Sequence, residues 1–221
     1  MSIKQTIKKA LPPVVLEAMT IHGIARLEKL VCQKNEAVIK GLLNGARPIK
    51  IEIGAGKDRG MEGWTSVDMN DDCALNLDLL KPIPFPDDSV SMIYSSHVLE
   101  HFKISEIFSL LSECKRILKP NGIFSAAVPN ARIYIEAYQN PGAFDPEKFC
   151  GHKPAFNYNS KIDYLNYMAY MDGHHRYMFD EENILAILKK AGFKNPRLRE
   201  FDPELDLKVR DSQSIYVIAE K

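Results

Sequence analysis

One stretch, Ile51–Asp68 (IEIGAGKDRGMEGWTSVD), constrains the fold more than any other: an apolar strand, a glycine turn, and a second short strand ending in a carboxylate. Pro48 to Ile53 is apolar enough for a buried parallel strand. Gly54-Ala55-Gly56 then lets the backbone run close to a ligand where a Cβ would clash. In open α/β sheets, ligands bind at the carboxyl ends of the strands, so the first strand ends at a binding site. Asp68, at the tip of the second strand, is placed to accept hydrogen bonds from the vicinal hydroxyls of a ribose.

Glycine turns of this kind also open dinucleotide sites, but those need a long helix aimed at a pyrophosphate and an acidic residue roughly 20 positions on. Here Asp68 follows Gly54 by only 14 positions, and Lys57 to Glu62 leaves room for barely one turn. A cofactor with a ribose and no phosphates fits better, and S-adenosylmethionine has that chemistry.

The 221 residues are 45% hydrophobic and 26% charged, which suits one sizeable core with embellishments. A formal net charge of +0 gives no global attraction for nucleic acid or anionic membrane. Cys32, Cys73, Cys114 and Cys150 are widely spaced and form no CxxC pair. They read as free thiols of a reducing, cytoplasmic compartment, and no metal is assigned to them. The N-terminus carries Lys4, Lys8 and Lys9, but Pro12, Pro13 and Glu17 interrupt any signal-peptide core, and no apolar run is long enough to span a membrane. Residues 1–46 read as a helical extension, with Val15, Met19, Ile24, Leu27, Leu30 and Val31 roughly on one face. That face serves either as a cap packed on the domain or as a peripheral membrane or partner contact.

Residues 47–221 form the main domain. After Asp68 the spacing predicts a short edge strand over 74–79 that carries Asp78, with no room for a helix before it. Pro82, Pro84 and Pro86 impose an extended run, and Val90 to Tyr94 is a buried strand. His97 to Phe102 starts a helical turn, and residues 105–118 form an amphipathic helix stopped by Pro120-Asn121-Gly122. Strands are expected over 123–128, 197–201 and 214–219, and a helix over 184–190 that starts at Asp180-Glu181-Glu182. Residues 131–178 break this rhythm as an insert that holds seven of the nine tyrosines.

Taken together, Glu52-x-Gly54-Ala55-Gly56, Val67-Asp68, Leu77-Asp78-Leu79, the PFPDDSVSMIYSSHVLEHF run, Leu118-Lys-Pro-Asn-Gly122 and Ala191-Gly-Phe193 resemble the class I S-adenosylmethionine-dependent methyltransferases. The Gly63-Trp64 strand entry is similar to that of small methyltransferases of bacterial polysaccharide and glycan biosynthesis. The resemblance implies an α/β three-layer sandwich with a mainly parallel seven-stranded sheet, its last strand antiparallel and its first-half helices shortened. It implies that Glu52, Gly54, Ala55 and Gly56 surround the methionine part of S-adenosylmethionine, that Asp68, with Met69 beside it, holds the ribose, and that Asp78 and Leu79 hold the adenine. Ser95, Ser96 and His97 line the site beside the sulfonium. Asp58 stands where the family's third glycine is usual.

The acceptor is expected to be a small hydroxylated or amino molecule, a glycan or nucleotide-sugar precursor. Candidate bases are His97, Glu100, His101, His174 and His175, with His97 ranked first for its place at a strand's end, since an unperturbed imidazole titrates near neutrality. Other readings stay open. His97-Val-Leu-Glu-His101 also fits the H-x-x-E-H pattern of zinc peptidases, in which two histidines share a helix face. The glycine turn alone admits a NAD(P)-dependent oxidoreductase, and a non-catalytic cofactor-binding protein would show the same residues. His101 equally reads as a hydrogen-bonded core histidine, and the tyrosines at 164, 167 and 170 as helix packing rather than sugar-stacking faces. The insert has no Lys/Arg run, which argues against RNA.

Overall fold

In a computed structural model, residues 13–56 and 61–221 are described. Asp58, the departure from the usual glycine pattern, lies outside them. The chain divides into two units, one ending with helix α1 (Pro13–Asn44) and one formed by residues 45–221. Along α1, among the described side chains, Val31, Asn35, Val38, Ile39 and Leu42 are the least exposed, while Leu30 is exposed. Among the described residues, no helix is long and apolar enough to cross a membrane.

The second unit is built on a seven-stranded sheet in the order β3-β2-β1-β4-β5-β7-β6. Its strands are β1 (Lys50–Ile53), β2 (Thr65–Asp68), β3 (Leu75–Asn76), β4 (Val90–Ser96), β5 (Leu118–Pro129), β6 (Lys194–Leu198) and β7 (Ser214–Glu220). β1 to β5 pair in parallel and β7 runs antiparallel to both neighbours. The expected mainly parallel sheet with a reversed last strand is what forms. β1 is central and flanked on both sides, which is why Ile51, Glu52 and Ile53 are all buried and the strand reads as continuous rather than alternating.

Two strands differ from expectation. β3 is only two residues long, so Asp78 lies beyond its end in a turn. β6 starts at Lys194 rather than Arg197, an edge strand that tolerates Pro196 because one side of it has no ladder to supply. Residues 119–122 do not simply stop a helix: β5 begins at Leu118 opposite Val90 and resumes at Ile123 opposite Met92, so the four residues bulge from one strand.

Among the described residues no helix separates β1 from β2, β2 from β3, or β3 from β4. The proline-rich run before β4 is pinned instead by α2 (Ile104–Ile117). Arg116 donates to the Ile83 and Phe85 carbonyls at 2.8 and 2.9 Å and to Asp87 at 2.7 Å, while Glu113 accepts from Ile83 N at 2.9 Å. The inward face of α2 is Ile107, Leu110, Leu111, Cys114 and Ile117, all buried, at the 3–4 residue spacing of an amphipathic helix. Glu106 caps its start by accepting from Lys103 N at 2.8 Å.

The insert between β5 and β6 is helical: α3 (Ala131–Gln139), α4 (Pro146–Phe149) and α5 (Ile162–Tyr170), followed by α6 (Glu181–Lys190), which returns the chain to the sheet. It has its own aromatic core. Tyr134 stacks on Tyr167 at 5.8 Å between ring centres, and Phe144 meets Tyr164 at 4.6 Å. Tyr134 Oη donates to the Phe149 carbonyl at 2.8 Å, and Tyr167 Oη accepts from His152 N at 3.2 Å. These three tyrosines are buried as packing, whereas Tyr138, Tyr158 and Tyr170 are exposed.

Candidate active site

The sheet brings the ends of β1, β2 and β4 side by side, with Ile53 opposite both Val67 and Ser95. Gly54 and Gly56 both adopt φ +68, a left-handed conformation that glycine takes without strain. The two are needed for different reasons. A Cβ on Gly54 would stand 2.1 Å from Val98 Cγ2, so the clash that excludes a side chain there is with the protein itself and not with a ligand. A Cβ on Gly56 would meet nothing within 4 Å, which leaves open space beside the turn.

Asp68 closes this turn. One carboxylate oxygen accepts from Gly56 N at 2.8 Å and the other from Met69 N at 2.5 Å, leaving each oxygen a further lone pair for a hydroxyl. Asn70 Nδ2 and Cys73 Sγ both donate to the Gly56 carbonyl, at 3.3 and 3.2 Å. The Gly56–Asp68 loop pair is therefore preorganised by four contacts. Glu52 and Ala55 are buried, Met69 is exposed, and Leu79 is buried beside Asp78, whose carboxylate accepts from Leu80 N at 3.0 Å. A cleft of about 470 Å³ opens next to Leu79 and Leu80, against Phe108 and Ser112 of α2.

At the end of β4, Ser95 and Ser96 are buried, and the chain turns through His97 at φ +55 into a short 3₁₀ turn, Leu99–His101. His97 and His101 therefore do not share an α-helical face, and the geometry a helical H-x-x-E-H pair requires is missing. His97 Nε2 lies 2.8 Å from Ser214 Oγ, whose own hydrogen goes to the Arg210 carbonyl at 2.8 Å. The serine must accept from the imidazole, so His97 carries its proton on Nε2. Burial, followed by the charges of Arg210, His175 and His101, lowers the His97 pKa to about 3. The premise of an unperturbed base at this position fails for that reason.

Glu100 is buried, and burial pushes its carboxyl up to about 8. Its carbonyl accepts from Arg176 N at 2.7 Å and Tyr177 N at 3.2 Å, so the end of the insert is strapped across this turn. His101 Nδ1 meets the His174 carbonyl at 2.8 Å, and His175 Nδ1 meets the Met168 carbonyl at 2.8 Å. His175 is buried, and its ring lies edge-on to His101 at 5.2 Å. His174 points away, exposed, towards the ring of His152 at 6.0 Å. Of the five candidate bases, the fold thus gathers His97, Glu100, His101 and His175 and leaves the His174 side chain outside.

Sequence reasoning did not single out Ser214, Arg210 or Val98. Arg210 donates to the Ser96 carbonyl at 3.2 Å from a loop more than a hundred residues away. No local pattern marks such a partner.

Residues 64–126 match the family described as Methyltransferase domain. A probable S-adenosylmethionine-dependent methyltransferase of Mycolicibacterium smegmatis is 34% identical over 62 residues, a match that takes in 28% of this chain and 23% of that protein. Among solved structures, a SAM-dependent methyltransferase from Mesorhizobium loti superposes with a TM-score of 0.51 at 17% identity, over 85% of this chain and 98% of that one. Another from Methanosarcina mazei does so with a TM-score of 0.50 at 15% identity, over 83% and 96%. Residues 64–126 are thus similar to the methyltransferase domain family, and the seven-stranded, mostly parallel sheet of residues 45–221 has the fold of the class I methyltransferases.

Proposed function

We propose that the protein transfers the methyl group of S-adenosylmethionine to a small hydroxylated or amino acceptor, a glycan or nucleotide-sugar precursor. The observation that carries the cofactor end is the Gly56–Asp68 pair: an open glycine turn closed by a carboxylate that keeps free lone pairs at the tip of β2. Glu52, Gly54, Ala55 and Gly56 are proposed for the methionine part, Asp68 and Met69 for the ribose, Asp78 and Leu79 for the adenine, and Ser95 with Ser96 for the sulfonium end. The acceptor class is supported by the Gly63-Trp64 resemblance and by the exposed rings of Tyr138, Tyr158 and Tyr170. The proposed setting is the cytoplasm, in keeping with four cysteines that form no disulfide. A peripheral contact through α1 is proposed as the route to a membrane-linked acceptor.

Because the sulfonium is already a strong electrophile, most of the rate comes from holding the acceptor in line with the methyl–sulfur bond and excluding water. His97, buried and tied to Ser214, acts by position rather than as a free base. Calorimetry with S-adenosylhomocysteine tests the cofactor reading. Asp68→Ala, checked for retained folding, should weaken binding about 10–150-fold, the equivalent of roughly 1.5–3 kcal/mol for hydrogen bonds to a charged acceptor. Tight NAD(H) binding with no heat from S-adenosylhomocysteine would overturn it. A labelled-methyl screen against nucleotide sugars, lipid-linked glycans, small amines and RNA tests the acceptor, and labelling of RNA alone would discard the glycan class.

A further inference from the structure

The turn after β4 and the strap that ends the insert bring together groups that all present acceptors to one another. Neither oxygen of the Glu100 carboxyl has a hydrogen-bond partner, although both are buried. Two histidine nitrogens lie close to it: His97 Nδ1 is 3.7 Å from Glu100 Oε1 and His101 Nε2 is 3.9 Å from it. Each is the lone-pair nitrogen of its ring. The Ser214 contact fixes the proton of His97 on Nε2, and the His174 carbonyl fixes that of His101 on Nδ1. The Met168 carbonyl does the same for His175, freeing its Nε2. One ligand atom from each of Glu100, His101 and His175 falls within 4.8 Å of the others.

We infer that Glu100, His101 and His175 form a site for a divalent transition metal of the Zn²⁺ class. Two imidazoles and one carboxylate are borderline donors, the set that zinc, cobalt and iron take up with a position left open. A ring nitrogen held by a backbone carbonyl is also the usual outer-shell support of a metal-binding histidine, because it fixes both tautomer and orientation. A tetrahedral site with bonds of about 2.0–2.1 Å has its donors roughly 3.4 Å apart. The observed spread therefore closes with side-chain adjustments of about an ångström. A proton on Glu100 satisfies one lone pair of the cluster; a metal ion satisfies all three.

The site does not revive peptidase chemistry. The pattern that suggests it in the sequence uses both its histidines as ligands and Glu100 as the base. In the fold, Glu100 is itself a ligand and the third donor comes from the insert, 74 positions after His101. The ion would join the insert to the core where Arg176 N and Tyr177 N already bind the Glu100 carbonyl. Its binding does not rest on methyl transfer, and it is measured without S-adenosylmethionine.

The test uses the full chain stripped with a chelator and then titrated with Zn²⁺ by calorimetry and with Co²⁺ by visible absorption. One equivalent should bind tighter than about 10 µM, with d–d bands of a nitrogen and oxygen site. His101→Ala, whose side chain is 43% exposed and so removable without opening the core, should weaken binding at least about 100-fold. His175→Ala should do the same, and His152→Ala should leave affinity unchanged. The melting temperature should rise with Zn²⁺ in the parent and not in His101→Ala. No binding below about 100 µM, unchanged affinity in His101→Ala, or a cobalt–thiolate charge-transfer band would overturn the site. In the first case Glu100 keeps its proton and no metal.

Discussion

Replacing Gly54 with alanine separates two reasons why a glycine stands at the end of β1. In the sequence it reads as a position where a ligand approaches the backbone; in the fold, Val98 fills the space its side chain would need. The substitution places a Cβ at φ +68, which costs about 1–2 kcal/mol in the left-handed region, and 2.1 Å from Val98 Cγ2 and 2.9 Å from Val98 Cγ1. Overpacking of a buried contact adds about 1–3 kcal/mol. Gly54→Ala should therefore destabilise the cofactor-free protein by about 2–5 kcal/mol, read from the urea midpoint at constant slope. The double variant Gly54→Ala/Val98→Ala should recover only part of the steric loss, because the Cβ at position 98, 3.1 Å away, and the backbone strain both remain. A Gly54→Ala protein as stable as the parent within about 0.5 kcal/mol, yet unable to bind S-adenosylhomocysteine, would refute this account and return the position to the ligand.

Asp206 anchors a buried network: it accepts from Tyr94 Oη at 2.7 Å and from Arg199 at 2.5 and 2.8 Å, with its side chain fully covered. Asp206→Asn leaves Arg199 uncompensated and should cost about 3–5 kcal/mol, with much of the loss restored in an Arg199→Met/Asp206→Leu pair; calorimetric melting decides, and a fall of under about 1 kcal/mol would contradict it. Burial alone would raise the Asp206 pKa, but the hydrogen bonds from Arg199, the Asp202 amide and Tyr94 prevail and lower it. This stabilisation is full above the ordinary carboxylate value of about 3.9 and disappears as pH falls through the lowered one. Parent stability should accordingly decline steeply below about pH 4, and Asp206→Asn should flatten that decline. Arg116→Ala frees the run Ile83–Asp87 from α2 and should raise amide exchange at Phe85 and Ser89 before it affects β5.

The parts of the fold that were legible are those whose cause is local. Strand β1 with its buried Ile51 and Ile53, Gly54 and Gly56, and Asp68 at the next strand's tip lie within one short stretch, and the chemistry of each depends on its near neighbours. The amphipathic spacing from Ile107 to Ile117 and the Asp180 cap of α6, accepting from Asn183 N at 2.7 Å, are local in the same way. What escaped is what the topology assembles. Tyr94 and Asp206 are 112 positions apart, and His97 and Ser214 are 117 apart. The His97 expectation failed there, since its ordinary titration assumed water where Ser214 and the sheet stand. The tyrosines were legible in part: helical spacing offered Tyr164 and Tyr167 as packing, and both are in the insert's core, but it did not show that Tyr134 stacks on Tyr167 or that Tyr170 stays exposed.

Strand length rises across the second unit from the β3 edge to β5 and falls again through β7 to the five residues of β6. β3, β2 and β1 have two, four and four residues and no helix between them among the described residues, whereas β4, β5 and β7 have seven, twelve and seven. Short ladders open at low free energy and long ones near the global limit, so the domain is soft at the proposed ribose and adenine end of the cofactor and firm at β4, whose Ser95 and Ser96 are proposed for its sulfonium end. In native-state hydrogen exchange, residues 65–76 should exchange well before residues 123–128. S-Adenosylhomocysteine should slow the first group selectively, which makes the cofactor the missing brace of the sheet's weak edge.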